Sequence, residues 1–259
     1  MSGSVRLAIS GPVASVTLSH PGKLNAMSRL MWRQLRSVFE SIQQNPDLRC
    51  VVIAGANQNF CAGGDISEYV DFRFQEASLR EFHETDVWGG LQAMLDCDLP
   101  IVAQIEGQCM GAGVEIASCC DIRLAGASTR FGAPIAKLGF PMAPREAQLV
   151  AREAGFSVAR QMLLEAAILT AADMKAAGFL SRVLADQQVA DETLATGLRI
   201  AALAPQAARL NKQTLRALTN PATPAHQVAK QTDKSYGYAH SAEHREGIQA
   251  FLEKRKPVF

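Results

Sequence analysis

Residues 101–125 read IVAQIEGQCMGAGVEIASCCDIRLA. Residues 101–105, apolar but for Gln104, read as a buried strand, and 121–125 read as a second strand. Between them stand the loop Gly107-Gln108-Cys109-Met110-Gly111-Ala112-Gly113 and a short apolar helix over 114–120. Strands this apolar are covered on both faces. Upstream, CVVIA at 50–54 is apolar in the same way and opens onto Asn59-Phe60-Cys61-Ala62-Gly63-Gly64-Asp65. A strand, a glycine-bearing loop and a helix in repeated order specify an α/β layered fold rather than separate all-α and all-β parts.

Working outward, 5–10 and 13–19 are β-like runs separated by Gly11-Pro12, so they read as a hairpin. Ser28 can cap a helix reaching about Gln44, because Leu30, Met31, Leu35, Val38 and Ile42 fall near helical spacing. The polar stretch 67–98 reads as helical in its second part, and Pro100 ends it. From Arg145 onward the pattern is almost wholly helical. Thr170-Ala171-Ala172-Asp173 forms a capping box, Gly178 closes that helix, and Pro205 opens another as its first residue. With no low-complexity linker, 1–200 read as one α/β core and 201–259 as a helical appendage to it.

The 259 residues carry a formal net charge of +1, with 48% apolar and 20% charged residues. Such a balance predicts neither a nucleic-acid binder nor an acidic tail. The first residues lack a signal-peptide core, and no run of about 18 apolar residues occurs to span a membrane. Cys50, Cys61, Cys97, Cys109, Cys119 and Cys120 form no CxxC pair, so they read as reduced core residues of a cytoplasmic protein. His240 and His244, four apart, lack a third ligand nearby and read as a solvated face, leaving no metal site.

Each glycine loop follows a buried strand and leads towards a helix, where backbone N–H groups lack partners. Two such N–H groups aimed at one point make an anion hole, each donor worth about 3–4 kcal/mol towards an oxyanion. Either loop alone reads more simply as an ordinary turn. Neither is a GxGxxG dinucleotide fingerprint or a GxxxxGK[ST] phosphate loop. Glu115 lies three positions after Ala112, among Val114, Ile116 and Ala117. One helical turn brings it to the face of that amide, and desolvation there raises a carboxyl's pKa. It reads as a proton carrier or as half of a buried salt bridge to an arginine.

Together these residues resemble the crotonase, or enoyl-CoA hydratase/isomerase, superfamily. Phe60-Cys61-Ala62-Gly63-Gly64-Asp65-Ile66 is similar to its first loop, and 105–122 to its second loop and catalytic helix. His20-Pro21-Gly22-Lys23-Leu24-Asn25-Ala26, Phe131-Gly132-Ala133-Pro134, the stretch 169–183 and the end from Arg245 extend the resemblance over essentially the whole chain. It implies a crotonase (ClpP-like) spiral of ββα units with a C-terminal helical trimerisation region, assembled as a trimer or a dimer of trimers. It implies oxyanion-hole amides at Gly64 and Ala112, and the first family glutamate at Glu115. Lys23, Leu24, Ala62, Asp65 and Ile66 fall where CoA is held. Phe251 and Lys254 fall on late positions that complete the CoA site, often from a neighbouring subunit. By the same resemblance the Lys254-Arg255-Lys256 cluster reads as a contact for a CoA phosphate. Coenzyme A enters as part of the thioester substrate, with no separate cofactor.

One departure stands out: the family's second glutamate is replaced by Ile135. Among the residues that could stand in, Glu146 reads most simply as a helix-start acid and His83 as a surface or satisfied histidine, with Arg145 the third candidate. The leading reading is an acyl-CoA enzyme with hydratase/isomerase-type chemistry run by a single glutamate. Isomerisation or decarboxylation of an acyl-CoA is the alternative reaction, and a non-catalytic acyl-CoA-binding scaffold the alternative class. RNA binding finds no support in the charge.

Overall fold

The expected hairpin forms: β1 (Ser4–Ser10) and β2 (Val13–Ser19) pair antiparallel with Ser10 opposite Val13. Beyond it the sheet is parallel, running from β2 to β3 (Cys50–Gly55), then to β4 (Ile101–Ile105) and the strand Ile122–Gly126. The computed structural model describes residues 2–219 and 236–259. Residues 220–235, within the expected C-terminal helices, lie outside the described residues.

Alternation along the strands divides the core. Val51, Ile53, Ile101 and Ala103 face the larger cluster, with Trp32, Leu35 and Phe39 of α1 (Arg29–Gln43). Val52, Val102 and Leu124 face a smaller cluster with Val13 and Ala201. Each buried Val, Leu or Ile contributes about 1.5–3 kcal/mol, so the apolar strands themselves hold the layers together. Ser28 caps α1 as expected, its side chain accepting from the Met31 N–H at 3.2 Å. The polar stretch becomes α2 (Glu76–Glu81), a π-helical turn over Phe82–Val87 and α3 (Trp88–Asp96).

Four short strands depart from the sequence reading. β5 (Gln108–Met110) lies inside the second glycine loop and pairs in parallel with β7 (Arg130–Gly132), so the strand Ile122–Gly126 is β6. The region expected to be almost wholly helical contains β8 (Ile168–Thr170), antiparallel to β7, and β9 (Arg182–Leu184), which closes the main sheet beside β6. The result is a six-stranded sheet ordered β1-β2-β3-β4-β6-β9 and a three-stranded sheet ordered β5-β7-β8. Three-residue strands are too short to set up a readable alternation, and each is fixed by a partner distant in sequence.

The second half otherwise supplies helices, beginning with α4 (Ala112–Ser118), α5 (Pro144–Ala154) and α6 (Phe156–Leu164). The Thr170–Asp173 capping box opens α7 (Ala171–Ala176), and Gly178 follows it at φ 83°. Then come α8 (Val189–Ala201), α9 (Pro205–Thr219) and α10 (Ala242–Leu252). Helix α9 is tied to the body: Arg209 donates to the Leu48 carbonyl at 3.0 Å, and Lys212 to the Leu99 carbonyl at 2.8 Å. All six cysteines are buried free thiols. No helix among the described residues is long and apolar enough to cross a membrane.

Candidate active site

Backbone hydrogen bonds knit the two glycine loops together. Phe60 N–H donates to the Glu106 carbonyl at 2.8 Å, Cys61 N–H to Gln108 at 2.9 Å, and Met110 N–H to Cys61 at 2.8 Å. On the first loop's other side, Met27 N–H donates to Gly63 and Asp65 N–H donates to Met27, both at 2.8 Å. These flanking bonds turn Gly64's own N–H away from Met27. On the second loop, Gly111 takes φ 45°, ψ −109°, a conformation open to glycine, and delivers the chain into α4. Ala112 is then the first helical residue, whose N–H has no intrahelical partner. Among the described residues neither the Gly64 nor the Ala112 N–H donates a hydrogen bond. A Cβ on Gly64 would overlap the Tyr69 hydroxyl, so a larger residue there would displace that side chain.

Both amides line a cavity of about 220 Å³, with Glu115, His83, Tyr69 and Ile135 also in its walls. Glu115 is buried on α4, and among the described residues no arginine or lysine pairs with it. The salt-bridge reading is therefore set aside. Burial, and secondarily the charge of Glu146, push its carboxyl up to about 8.

Ile135 leaves apolar the position where the resemblance leads us to expect a second carboxylate, yet a second carboxylate reaches this region from α5. Glu146 sits in the first turn of that helix, as expected, but it is buried rather than a solvated helix-start charge. Its Oε1 lies 3.2 Å from His83 Nδ1. His83 is accordingly no surface histidine: its side chain is 21% exposed and lines the cavity. Arg145, one residue earlier, turns outward and pairs with Glu84 at 3.1 Å, both more than two-fifths exposed. Arg73 and Phe140 are among the cavity residues that escaped the sequence reading. Arg73 lays its guanidinium 3.6 Å from the ring centroid of Phe140, a contact no local pattern announces.

The expected CoA residues of the first half gather at one rim. Lys23 Nζ lies 2.6 Å from Asp65 and 2.7 Å from Ser67 Oγ. Burial alone would raise the Asp65 carboxyl, but hydrogen bonds from Lys23 and Ser67 outweigh it and hold it below its ordinary value. Ala62 N–H donates to the Leu24 carbonyl at 3.0 Å, while the Leu24 and Ile66 side chains stay exposed. Phe251, 81% exposed on α10, and Lys254, at φ 54° just beyond it, make no side-chain hydrogen bond or ion pair to that rim within the described chain. Arg255 is not free to meet a phosphate as the Lys254-Arg255-Lys256 reading supposed. It is held by Glu246 at 2.6 and 2.9 Å and by Glu253 at 2.6 Å.

Comparison with known proteins identifies the family of the chain. The profile of the enoyl-CoA hydratase/isomerase family matches residues 8–259. The 2,3-dehydroadipyl-CoA hydratase of Escherichia coli is 31% identical over 247 residues, covering 95% of this chain and 94% of the relative. The mevalonyl-coenzyme A hydratase of Beauveria bassiana is 29% identical over 255 residues, covering 95% and 91%. A crystal structure from Magnetospirillum magneticum, described as an enoyl-CoA hydratase/carnithine racemase, superposes with a TM-score of 0.93 at 35% identity, covering 98% of this chain and 94% of the other. The fold is the crotonase fold, and the chain belongs to the enoyl-CoA hydratase/isomerase family of acyl-CoA enzymes.

Proposed function

We propose that the protein hydrates a 2-enoyl-CoA, or dehydrates the corresponding 3-hydroxyacyl-CoA, by way of a thioester enolate. The thioester oxygen accepts hydrogen bonds from the Gly64 and Ala112 amides, whose preorganised dipoles stabilise the charge that develops there. Glu115, protonated at neutral pH because its carboxyl is pushed up to about 8, gives its proton to C2 as water bonds to C3. The CoA portion lies along the Lys23, Leu24, Ala62, Asp65 and Ile66 rim. Phe251 and Lys254 complete that site from a neighbouring subunit of a homotrimer or dimer of trimers. The exposed Ile248, Phe251 and Leu252 on α10 favour such an assembly, which analytical ultracentrifugation tests. A cytoplasmic address belongs to the same proposal and is tested by cell fractionation.

One observation carries the reading: two unpartnered amides and one buried, raised-pKa carboxyl line the same cavity. Replacing Glu115 by Gln should abolish turnover of short, medium and long straight-chain 2-enoyl-CoAs while CoA affinity stays similar. Unchanged turnover would overturn Glu115's role. Isomerisation and decarboxylation use the same enolate, and Ile135 keeps them open as second readings. Identifying the products formed from enoyl-, malonyl-type and hydroxyacyl-CoA thioesters separates the three. Tight acyl-CoA binding with no product from any of them would instead favour the scaffold reading.

A further inference from the structure

We propose that His83, oriented by Glu146, is the second proton station of this cavity and takes the proton that water sheds, the task left open by Ile135. The inference rests on the hydration reading above.

Its basis is the pairing of two residues 63 positions apart. Glu146 is buried, and a buried carboxylate is costly without a partner. Its side-chain partner is His83 Nδ1, at 3.2 Å. With Nδ1–H donating to the carboxylate, Nε2 is left with its lone pair, the arrangement that makes an imidazole a general base. Nε2 has no hydrogen-bond partner among the described residues, and the ring lines the cavity that holds Glu115.

The backbone under His83 is held in place. It lies in the π-helical turn Phe82–Val87, and such turns recur at functional sites. In the same turn Asp86 is buried and takes hydrogen bonds from both Arg29 and Arg33 of α1, at 2.7 Å each. A surface histidine would need none of this anchoring. The other charged or titratable groups near His83 are Glu84 with its partner Arg145, and Glu115, Tyr69 and Arg73 in the cavity walls.

The step balances. One O–H bond of water breaks and its proton goes to His83 Nε2, while the oxygen bonds to C3. The C2=C3 π pair passes into the enolate and then forms the C2–H bond with the proton from Glu115. Glu146 holds the resulting imidazolium, and return of that proton to Glu115 through solvent resets the site.

The test uses the full-length wild type, His83→Ala, Glu146→Gln and Glu115→Gln, with the straight-chain 2-enoyl-CoA that the wild type hydrates fastest. Two reactions are measured: hydration, and exchange of solvent deuterium into C2 of the matching saturated acyl-CoA, which needs no water addition. His83→Ala should lower the hydration kcat by about 100-fold or more, the usual scale of general acid–base catalysis, and change exchange by less than about threefold. Glu115→Gln should lose both. Glu146→Gln should lower the hydration kcat by about tenfold or more while KM and the exchange rate stay within about threefold of wild type, because only the step that needs a correctly turned imidazole is affected. A merely structural pair would slow hydration and exchange together. Hydration by His83→Ala within about threefold of wild type would overturn the proposal and leave the enolate reading standing, being far short of the catalytic scale. Parallel loss of hydration and exchange in His83→Ala would also overturn it. A wild type that performs neither reaction would bring down both readings.

Discussion

Glu115→Gln should make the protein inactive and more stable, by a margin that grows with pH. The sign follows from the direction of the pKa change. Burial raises the folded-state carboxyl from 4.5 to about 8, so between those values the unfolded chain releases a proton that the folded chain keeps. Wild-type stability contributed by this group is therefore present below pH 4.5, falls as pH rises towards 8, and then levels off. At 1.36 kcal/mol per pH unit of differential protonation, the decline between pH 5 and pH 8 is about 3 kcal/mol. Glutamine has nearly the same shape and stays neutral, so the variant escapes that decline. Urea unfolding of both proteins at pH 5, 7 and 8, at one protein concentration, measures the difference directly. The gap should widen by about 3 kcal/mol across the series. Parallel stability curves would mean that Glu115 ionises freely in the folded protein, and the case for it as a proton donor at neutrality would fail.

Ala112→Pro removes the second amide donor at a helix-first position where proline is tolerated, so kcat should fall by about 100-fold or more. CoA affinity measured by calorimetry should stay close to wild type. Ile135→Glu restores the family carboxylate but adds a charge beside Glu115 and Glu146. Hydration should rise by less than about tenfold in a steady-state assay, an order below the general acid–base scale. Arg145→Ala breaks an exposed pair with Glu84 and a guanidinium contact 5.1 Å from the Trp88 ring centroid, so turnover should stay within about twofold and stability within about 1 kcal/mol.

The sequence made the site's backbone legible because its signals are local. The apolar runs of β3 and β4, the small residues around Gly64 and Ala112, and the one acid in an apolar helix each declare themselves within a few residues. What fills the gap at Ile135 was not legible. Arg145 and Glu146 are adjacent, yet one residue is about 100° of rotation on a helix, enough to send one outward and bury the other. Nothing local gives the phase of α5 against the cavity, and nothing local ties Glu146 to a histidine 63 residues away. The strands β5, β7, β8 and β9 were missed for the same reason: their hydrogen bonds reach across the chain. The C-terminal CoA residues were assigned by likeness alone, and among the described residues no hydrogen bond or ion pair joins Phe251 or Lys254 to the Lys23–Asp65 rim.

Solvent-deuterium exchange at C2 of a saturated acyl-CoA, followed by mass spectrometry, tests the central claim most directly, since it needs only enolate stabilisation and one proton carrier. The wild type should incorporate deuterium, Ala112→Pro should do so about 100-fold more slowly, and Glu115→Gln should not do so at all. Exchange that is absent in the wild type, or equally fast in Glu115→Gln, would contradict the account.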